Sequence, residues 1–483
     1  MNLAGKFCGQ TLCCTPCNRG KKPVRAKGAC CKMQMFPSVV SIRSSSPDSC
    51  PMVPHLTTAL NGPINELEQR IIDSMPATER WFRLEWMEHM PAFYSAVDVR
   101  NAGFKLAPVE TDLYPGGWNY LSEAMLPLAV QAAQAAIEKI CPEARNLLLI
   151  PANRTQNAAY LSNVAQLVRI FRMAGLNVRV GSISNDIKAP TRIALPPNDA
   201  WGDSVLLEPV LRTERRIGLK DFDPCTVLVN HDLSAGAPGI LEELYEQYIL
   251  PPVHAGWHTR RRSKHWACYE EVAKRFGKML GIDHWLISPM FERCEAINPM
   301  QEQGMEQLRS QADALLNRIR RKYKEYGIQA QPFITVKVDN RACSTEILAV
   351  HGAADLNQLA DSGSPAHARW QQAQGGQAAG DLVLQEGVPS CERIGNAVAE
   401  PVVYTMDRYV VGSFYRVHAG DHADEQCVPL TFDKNRQLPE PGSKPGASVP
   451  NRFYMYGVMA RLAMVASSYE LEATDPEAEH LGR

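Results

Sequence analysis

The sequence predicts an α/β protein in which a βαβ-containing N-terminal domain is followed by a strand-rich α+β domain. In the first part, short apolar runs alternate with stretches of helical periodicity. After about residue 328, strand-like runs dominate. A chain of 483 residues is too long for one compact core, so its length also indicates two or three domains.

The first part contains the elements of one βαβ unit. Residues 146–150 form a short apolar run that ends at Pro151, as is typical of a buried parallel strand. Helical spacing follows over residues 157–173, and a second strand pattern covers residues 178–183. A strand, a helix and a strand at this spacing predict a right-handed crossover between two parallel strands.

The second part begins after a long amphipathic helix predicted over residues 302–326. Strands are then predicted at residues 333–338, 381–385, 401–406 and 409–418, and a last helix at residues 451–472. The predicted organisation is an extension at residues 1–51, an α/β domain at 52–328, a strand-rich α+β domain at 329–474 and a tail at 475–483.

Composition is ordinary for a globular protein, with 45% apolar and 21% charged residues and a net charge of −1. Near-zero charge argues against a general polyanion binder, so a nucleic-acid partner is not expected. No run of about 18 apolar residues indicates a membrane helix, and no secretory signal is apparent. Because cysteines after residue 51 are scattered singly, we expect reduced thiols and a cytoplasmic location.

The first 51 residues differ from the rest, with eight Lys or Arg against one acid and seven cysteines. Such a basic, apolar-poor stretch predicts a disordered extension. The alternative is a zinc site, because Cys14-Thr-Pro-Cys17 followed by Cys30-Cys31 has zinc-knuckle spacing. Against zinc, the segment has no histidine and no second Cys-x-x-Cys.

Two charged segments are candidates for binding small anionic or zwitterionic ligands. Residues 97–112 combine cations and acids, which suits an amino acid; Arg100, Asn101 and Lys105 are the candidate substrate-binding residues. Residues 254–266 place four cations within five positions, with Arg260 as the candidate. The alternatives are surface ion pairs for the first segment, and a solvated basic patch or nucleic-acid contact for the second.

A third group suggests a nucleotide held between two sheets. Lys337 lies within a strand pattern and would contact phosphates, while the Gln385-Glu386-Gly387 strand end would hold an adenine edge. Arg416 adds a cation on a later strand. The sequence has no Walker A motif and no Gly-x-Gly-x-x-Gly, which argues against P-loop and Rossmann sites.

Together these segments resemble a bacterial glutamate–cysteine ligase family of the type first described from acidophilic iron oxidisers. The resemblance covers nearly all of residues 52–474. The matching segments are residues 52–63, 100–108, 222–225, 232–236, 250–252, 322–327, 398–404, 451–457 and 470–474. The resemblance implies an ATP-grasp-like second domain and ATP-dependent joining of glutamate to cysteine through an acyl phosphate, the first step of glutathione synthesis.

The resemblance also implies roles for the candidates. Lys337 and Arg416 are expected to act on the transferring phosphoryl group, with Gln385 and Glu386 beside the nucleotide. Glu400 and Asn451 are the expected Mg²⁺ ligands. The rival functions are another ATP-dependent carboxylate–amine ligase, such as a glutathione synthetase-like enzyme, and a non-enzymatic nucleic-acid binder.

The chain departs from the family after Lys337. Family members carry a glycine-rich loop there, whereas this chain reads Asp339-Asn-Arg-Ala-Cys-Ser-Thr-Glu346, without glycine. Glycine permits close backbone approach to phosphate, so this loop conflicts with the nucleotide site. Because the flanks match and residues 361–380 also differ, we interpret residues 339–380 as a local reading-frame disturbance.

Overall fold

The computed structural model describes residues 56–57, 63–153, 157–196, 202–340, 346–375, 377–418, 425–429 and 452–476. The extension at residues 1–51 and the candidate Asn451 lie outside these residues, as does most of the predicted tail. Residues 54–483 form one compact unit. Within the described residues, no helix has both the length and the apolar character needed to cross a membrane.

The described helices are distributed along the whole unit. They are α1 (Pro63–Asp73), α2 (Met75–Glu88), α3 (Leu126–Ile140), α4 (Ala158–Met173), α5 (Arg262–Leu280), α6 (Glu302–Glu325), α7 (Pro365–Gln374) and α8 (Phe453–Thr474). Short 3₁₀ turns occur between several of them, and Gly239–Leu241 is one example.

The described strands fall into three larger sheets and one hairpin. They are β1 (Leu56–Thr57), β2 (Tyr94–Asn101), β3 (Leu106–Asp112), β4 (Asn146–Pro151), β5 (Asn177–Ser182), β6 (Thr191–Ala194), β7 (Ser204–Pro209), β8 (Leu211–Thr213), β9 (Arg216–Gly218), β10 (Thr226–Asn230), β11 (Tyr248–Leu250), β12 (Phe291–Ile297), β13 (Ile334–Val338), β14 (Leu348–Val350), β15 (Gly380–Glu386), β16 (Arg393–Ile394), β17 (Ala397–Met406), β18 (Tyr409–His418) and β19 (Glu425–Pro429).

The predicted βαβ unit is confirmed. Strand β4 pairs in parallel with β5, and α4 connects them. The sheet has the order β11-β10-β4-β5-β7-β6, parallel except for the edge strand β6. The interior strand β10 is buried at every position, which fits the apolar residues at 227–229 in its middle.

A second sheet is antiparallel throughout its described strands. Strand β17 pairs with β18 on one side and with β16 and β2 on the other, and β2 continues to β3. Strands β2 and β3 come from the first half of the chain, whereas β16 to β19 come from the second. The sheet therefore contains strands from both sides of the domain boundary expected near residue 328.

The third sheet has the order β12-β15-β13-β14 and is also antiparallel. The long helix α6 packs on it and buries Leu308, Leu315, Ile319 and Tyr323, as its periodicity predicts. Gly327 adopts a positive φ of 66° just after this helix, a conformation that favours glycine. The chain turns there and enters β13.

Helix α8 covers the apolar face of the second sheet. It packs against β2, β3, β17, β18 and α5, and nearly every side chain from Met455 to Ser468 is buried. Val97, Val99, Ala399 and Val403 supply the sheet side of this core. Because α8 closes this face, a ligand could reach the sheet only from the opposite face, at the end that α3 does not cover.

One buried ion pair anchors the end of α8. Arg260 donates two hydrogen bonds to the Glu470 carboxylate, at 3.0 and 2.9 Å, and a third to the Thr111 carbonyl at 3.2 Å. Both side chains are at most 2% exposed. Burial disfavours the charge of Glu470, but Arg260 and His265 outweigh it and lower its pKa to about 2. Arg260 was predicted to bind an anionic ligand, but its guanidinium binds the carboxylate of Glu470 within the same chain.

We expect Glu470→Gln to destabilise the protein strongly. It leaves Arg260 buried without its carboxylate, which typically costs about 3–5 kcal/mol. The measurement is the free energy of unfolding in urea, with Glu472→Gln as the control because the Glu472 side chain is 43% exposed.

The same variant has a defined pH dependence. The pKa of Glu470 lies below its ordinary value in the folded state, so its contribution is complete above about pH 4.5 and is lost as the pH falls towards 2. The stability difference between wild type and Glu470→Gln should narrow in that window. A difference that stays constant down to pH 3 would contradict the assignment.

Candidate functional site

The open face of the second sheet carries a row of charged side chains. In the β-ladder Asp98 is opposite Glu110, and Glu400 is opposite Arg416, so each pair shares one face. Arg100 reaches Glu400 on the same side. We call Asp98, Arg100, Glu110, Glu400 and Arg416 the charged face.

Alternating ion pairs hold this face together. The Arg100 Nη2 lies 2.7 Å from Glu400 Oε2, and the Arg416 Nη1 lies 2.7 Å from Asp98 Oδ2. Burial opposes the charge of Asp98, yet Arg416 and Arg100 keep its pKa below the ordinary range. All four side chains retain 12–25% exposure, so the face is reachable from solvent.

A β-bulge in β3 provides the contact to the third sheet. The ladder shifts between Asp98–Glu110 and Val99–Pro108, which leaves Val109 as the extra residue. Pro108 has no N–H to donate, which fits a bulge at this place. The Lys337 Nζ of β13 donates to the freed Val109 carbonyl at 2.9 Å.

Lys337 is therefore a buried cation at the charged face. It is 3% exposed, and its Nζ lies 3.6 Å from Glu110 Oε2. Arg262 contacts the same carboxylate at 3.1 Å and donates to the Val338 carbonyl at 2.6 Å. Burial lowers the pKa of Lys337, and Glu110 acts against that change. This cluster joins the two sheets.

Gln385 lies on the same face of the third sheet as Lys337. Strand β15 pairs Gln385 with Thr335 and Val383 with Lys337, so the four side chains point to one side. Gln385 is 1% exposed, and neither its amide nitrogen nor its amide oxygen has a hydrogen-bond partner among the residues that the structure describes. An unsatisfied buried amide is costly, and it is expected where a ligand supplies the missing partners.

Glu386 points to the other face of that sheet. Its carboxylate binds Lys105 Nζ at 2.7 Å and accepts from Trp285 Nε1 and the Met290 N–H. Its own N–H donates to the Met290 carbonyl at 2.7 Å. Burial lowers the pKa of Lys105 to about 8, although Glu386 opposes this change. The nucleotide candidate Glu386 and the substrate candidate Lys105 are thus partners of each other.

Asn101 and Arg260 also have partners within the chain. The Asn101 amide donates to Glu392 at 3.1 Å and accepts from the Gly103 N–H at 2.9 Å, in a fully buried position. Arg260 and Arg262 are 2% and 1% exposed, so these two cations do not form the solvated basic patch considered for residues 254–266.

The structure therefore separates the predicted site residues into two sets. Arg100, Lys337, Gln385, Glu400 and Arg416 meet around the charged face, whereas Asn101, Lys105, Arg260 and Glu386 form buried contacts elsewhere. Sequence reasoning did not select Asp98, Glu110 or Arg262. The sequence does contain a pattern that could have identified Asp98 and Glu110, because Asp98-x-Arg100 and Glu110-x-Asp112 place charges on one face of a strand.

Comparison with known proteins agrees with the resemblance drawn from sequence motifs. A crystal structure from Methylobacillus flagellatus KT, of a protein provisionally named gamma-glutamylcysteine synthetase, is 48% identical; the alignment covers 88% of this chain and 100% of that chain, with a TM-score of 0.76. A glutathione synthetase-like effector from Globodera pallida is 10% identical over 75% of this chain and 86% of that chain, and its TM-score of 0.38 is too low to support an argument. No curated protein matches significantly.

The family assignment rests on a match that spans most of the chain. The family model described as glutamate-cysteine ligase (GshA) matches residues 68–471, which include all the described strands from β2 to β19 and the residues of the charged face. The resemblance to glutamate–cysteine ligases is confirmed by this match and by the 48% identical structure. The chain belongs to the glutamate–cysteine ligase family.

Proposed function

We propose that the charged face and Lys337 are the site at which the glutamate γ-carboxylate is phosphorylated by ATP and then joined to the amine of cysteine. The observation that carries this proposal is the meeting of a buried lysine, an unpartnered buried amide and a row of arginines and carboxylates. Lysine and arginine suit phosphate and carboxylate oxygens, and the amide suits a nucleobase edge.

An ATP-grasp-like arrangement is the architecture that we propose for the nucleotide. Lys337 and Gln385 project from the third sheet towards the second sheet, so a nucleotide bound beside them would lie between the two. The Gln385 amide can both donate and accept, as recognition of an adenine edge requires. The backbone N–H groups of Glu386 and Gly387 already have protein acceptors, which leaves this task to the side chain of Gln385.

Arg100 is the substrate-binding residue that the geometry favours. Its guanidinium is 14% exposed and pairs with Glu400, which leaves further N–H donors for a substrate carboxylate. Acidic neighbours on the same face would attract the ammonium group of an amino acid. Asn101, Lys105 and Arg260 act, in this proposal, by fixing the strands and loops around that face.

Magnesium fits the site only with help from the substrates. The described residues contain no group of three or more His, Cys, Asp or Glu side chains placed to hold a metal by themselves. Mg²⁺ at phosphoryl-transfer sites is usually held by one or two carboxylates plus the phosphates, and Glu400 supplies one such carboxylate. When bound there, the ion would offset negative charge on the phosphates.

Phosphorylation gives the γ-carboxylate a leaving group that it otherwise lacks. Lys337 and Arg416 place positive charge where the transferring phosphoryl group develops its negative charge, and they do so in a partly buried site that strengthens the interaction. The cysteine amine then displaces phosphate and forms the amide bond of γ-glutamylcysteine. The described cysteines are free thiols, which supports our proposal of a reducing, cytoplasmic setting.

A substrate-dependence assay tests this function. ADP should form in the presence of glutamate plus cysteine, and not with γ-glutamylcysteine plus glycine. The second combination would instead support the rival glutathione synthetase-like activity.

Removing the charge of Lys337 should lower turnover. We expect Lys337→Ala to reduce kcat at saturating glutamate, cysteine and ATP by at least ~10²-fold, the scale of one lost preorganised charge contact. Lys337→Met is the matched variant, because it keeps an unbranched apolar stem in the buried position. Lys324→Ala, at an exposed position of α6, is the control. Wild-type kcat in a folded Lys337→Met protein would remove Lys337 from the site.

Gln385→Leu should weaken nucleotide binding without weakening the fold. Loss of one or two hydrogen bonds at about 1 kcal/mol each corresponds to a rise of about 5- to 30-fold in KM for ATP. KM for glutamate and cysteine should change little. Because the free protein loses no hydrogen bond, its unfolding midpoint should stay the same or rise; a lower midpoint with unchanged KM for ATP would contradict the assignment.

A further inference from the structure

Asp112 is an acid at the edge of the charged face that the proposed reaction has not yet used. It lies two residues beyond Glu110 on β3, on the same side of the strand and about 7 Å further along it. It is half-buried, and its carboxylate accepts the Tyr114 N–H at 2.9 Å. It therefore borders the place where glutamate and the second amino acid would meet.

Asp112 differs from the acids beside it in its partners. Asp98 is paired with Arg416, Glu110 with Arg262, and Glu400 with Arg100. Among the described residues, no lysine or arginine lies within ion-pair distance of Asp112. A carboxylate held by a cation is a poor proton acceptor, because that cation stabilises the charged form.

The surroundings of Asp112 make its carboxylate more basic. The groups that face it are Tyr114, Arg260, Asp232 and Glu110. Burial is the main influence; the two acids add to it, while the Tyr114 N–H and Arg260 act in the opposite direction, and the pKa of Asp112 rises to about 6. Arg260 has limited effect because Glu470 already neutralises it. At neutral pH Asp112 is therefore ionised and poised to take up a proton.

We propose that Asp112 takes one proton from the cysteine ammonium group, so that the free amine can attack the acyl phosphate, an inference that rests on the proposed function. In this step the N–C bond forms, the C–O bond to phosphate breaks, and phosphate leaves with the bonding electrons. The ammonium proton passes to an Asp112 carboxylate oxygen and returns to solvent after product release. The second N–H proton, which is lost as the amide forms, leaves with the phosphate. The first step, phosphorylation of glutamate, needs no proton acceptor and does not involve Asp112.

The test compares two nucleophiles on Asp112→Asn. We expect this variant to lower kcat for ligation of cysteine by ~10²-fold or more, the usual contribution of a general base. Formation of γ-glutamyl hydroxamate from glutamate, ATP and hydroxylamine should stay within a few-fold of wild type at pH 7.5, since hydroxylamine is already uncharged there. Equal loss with both nucleophiles, or no loss with either, would overturn the proposal.

The wild-type pH profile gives a second test that does not depend on folding of a variant. With saturating substrates, kcat for cysteine ligation should fall below about pH 6 as Asp112 becomes protonated. Asp232→Asn is the matched control: it removes an acid facing Asp112, so the acid limb should move to lower pH while kcat at pH 7.5 is retained. A profile that is flat to pH 5 in wild type would also overturn the proposal.

The same measurements can disprove the proposed function and the role of Asp112 separately. If wild-type protein forms neither ADP nor hydroxamate with glutamate and ATP, the proposed function itself is wrong. If wild type forms both, and Asp112→Asn ligates cysteine as well as wild type does, only the role of Asp112 is wrong.

Discussion

The pairing of β2 with β17 is the constraint on which the rest of the site depends. It aligns Val402 with Asp98 and thereby brings Asp98 within reach of Arg416, although 318 positions separate them in the chain. Without this pairing the two arginines and their carboxylates would belong to separate parts of the molecule. Helix α8 seals the other face of the same sheet, and α3 covers the end of this face that carries Tyr404 and Phe414. The charged side chains therefore face the space next to the third sheet, where Glu110 meets Lys337.

Charge compensation at this face follows from the cost of burial. A partly buried carboxylate or guanidinium without a partner would lose several kcal/mol of hydration, so the free protein pairs Asp98, Glu110 and Glu400 with cations. In the proposed function these pairs would exchange partners when a zwitterionic substrate and a polyphosphate bind, because a guanidinium carries five N–H donors. Lys337 also keeps a donor available. The Val109 carbonyl and Glu110 hold its ammonium group in place, and together they take up two of its three N–H donors.

Local patterns in the sequence predicted the elements well, and long-range partners poorly. Periodicity was sufficient for α6 and for the βαβ unit of β4, α4 and β5. An Ala-rich pattern predicts a helix over residues 121–140. Helix α3 starts only at Leu126, since Pro127 suits a first turn and the preceding residues form 3₁₀ turns.

The lack of long-range information also explains why two candidate site residues, Arg260 and Lys105, turned out to be paired with acids of the chain itself. Nothing near Arg260 in the sequence identifies Glu470, and nothing near Lys105 identifies Glu386, so both cations looked available to a ligand. Lys337 could be identified because a lysine within an apolar strand pattern is unusual whatever its partners are. The bulge at Val109 was not predictable from spacing, yet it supplies the carbonyl that positions this lysine.

The packing after Lys337 bears on the segment that departs from the family. Asp339 is fully buried, accepts hydrogen bonds from the Ser263 N–H and hydroxyl at 2.7 and 2.8 Å, and so fixes the end of β13 to the first turn of α5. Residues 341–345 lie outside the described part, but Leu356, Leu359 and Trp370 are buried in the same core as α6. The reading-frame disturbance inferred for residues 339–380 stays a prediction, and the departure that matters most for a nucleotide is the glycine-free stretch just after Asp339. There the absence of glycine removes the close backbone approach that phosphate needs, and Glu346 adds a negative charge near Lys337. In the proposed site, side chains, above all Lys337 and Arg416, would then supply most of the contacts to the phosphates.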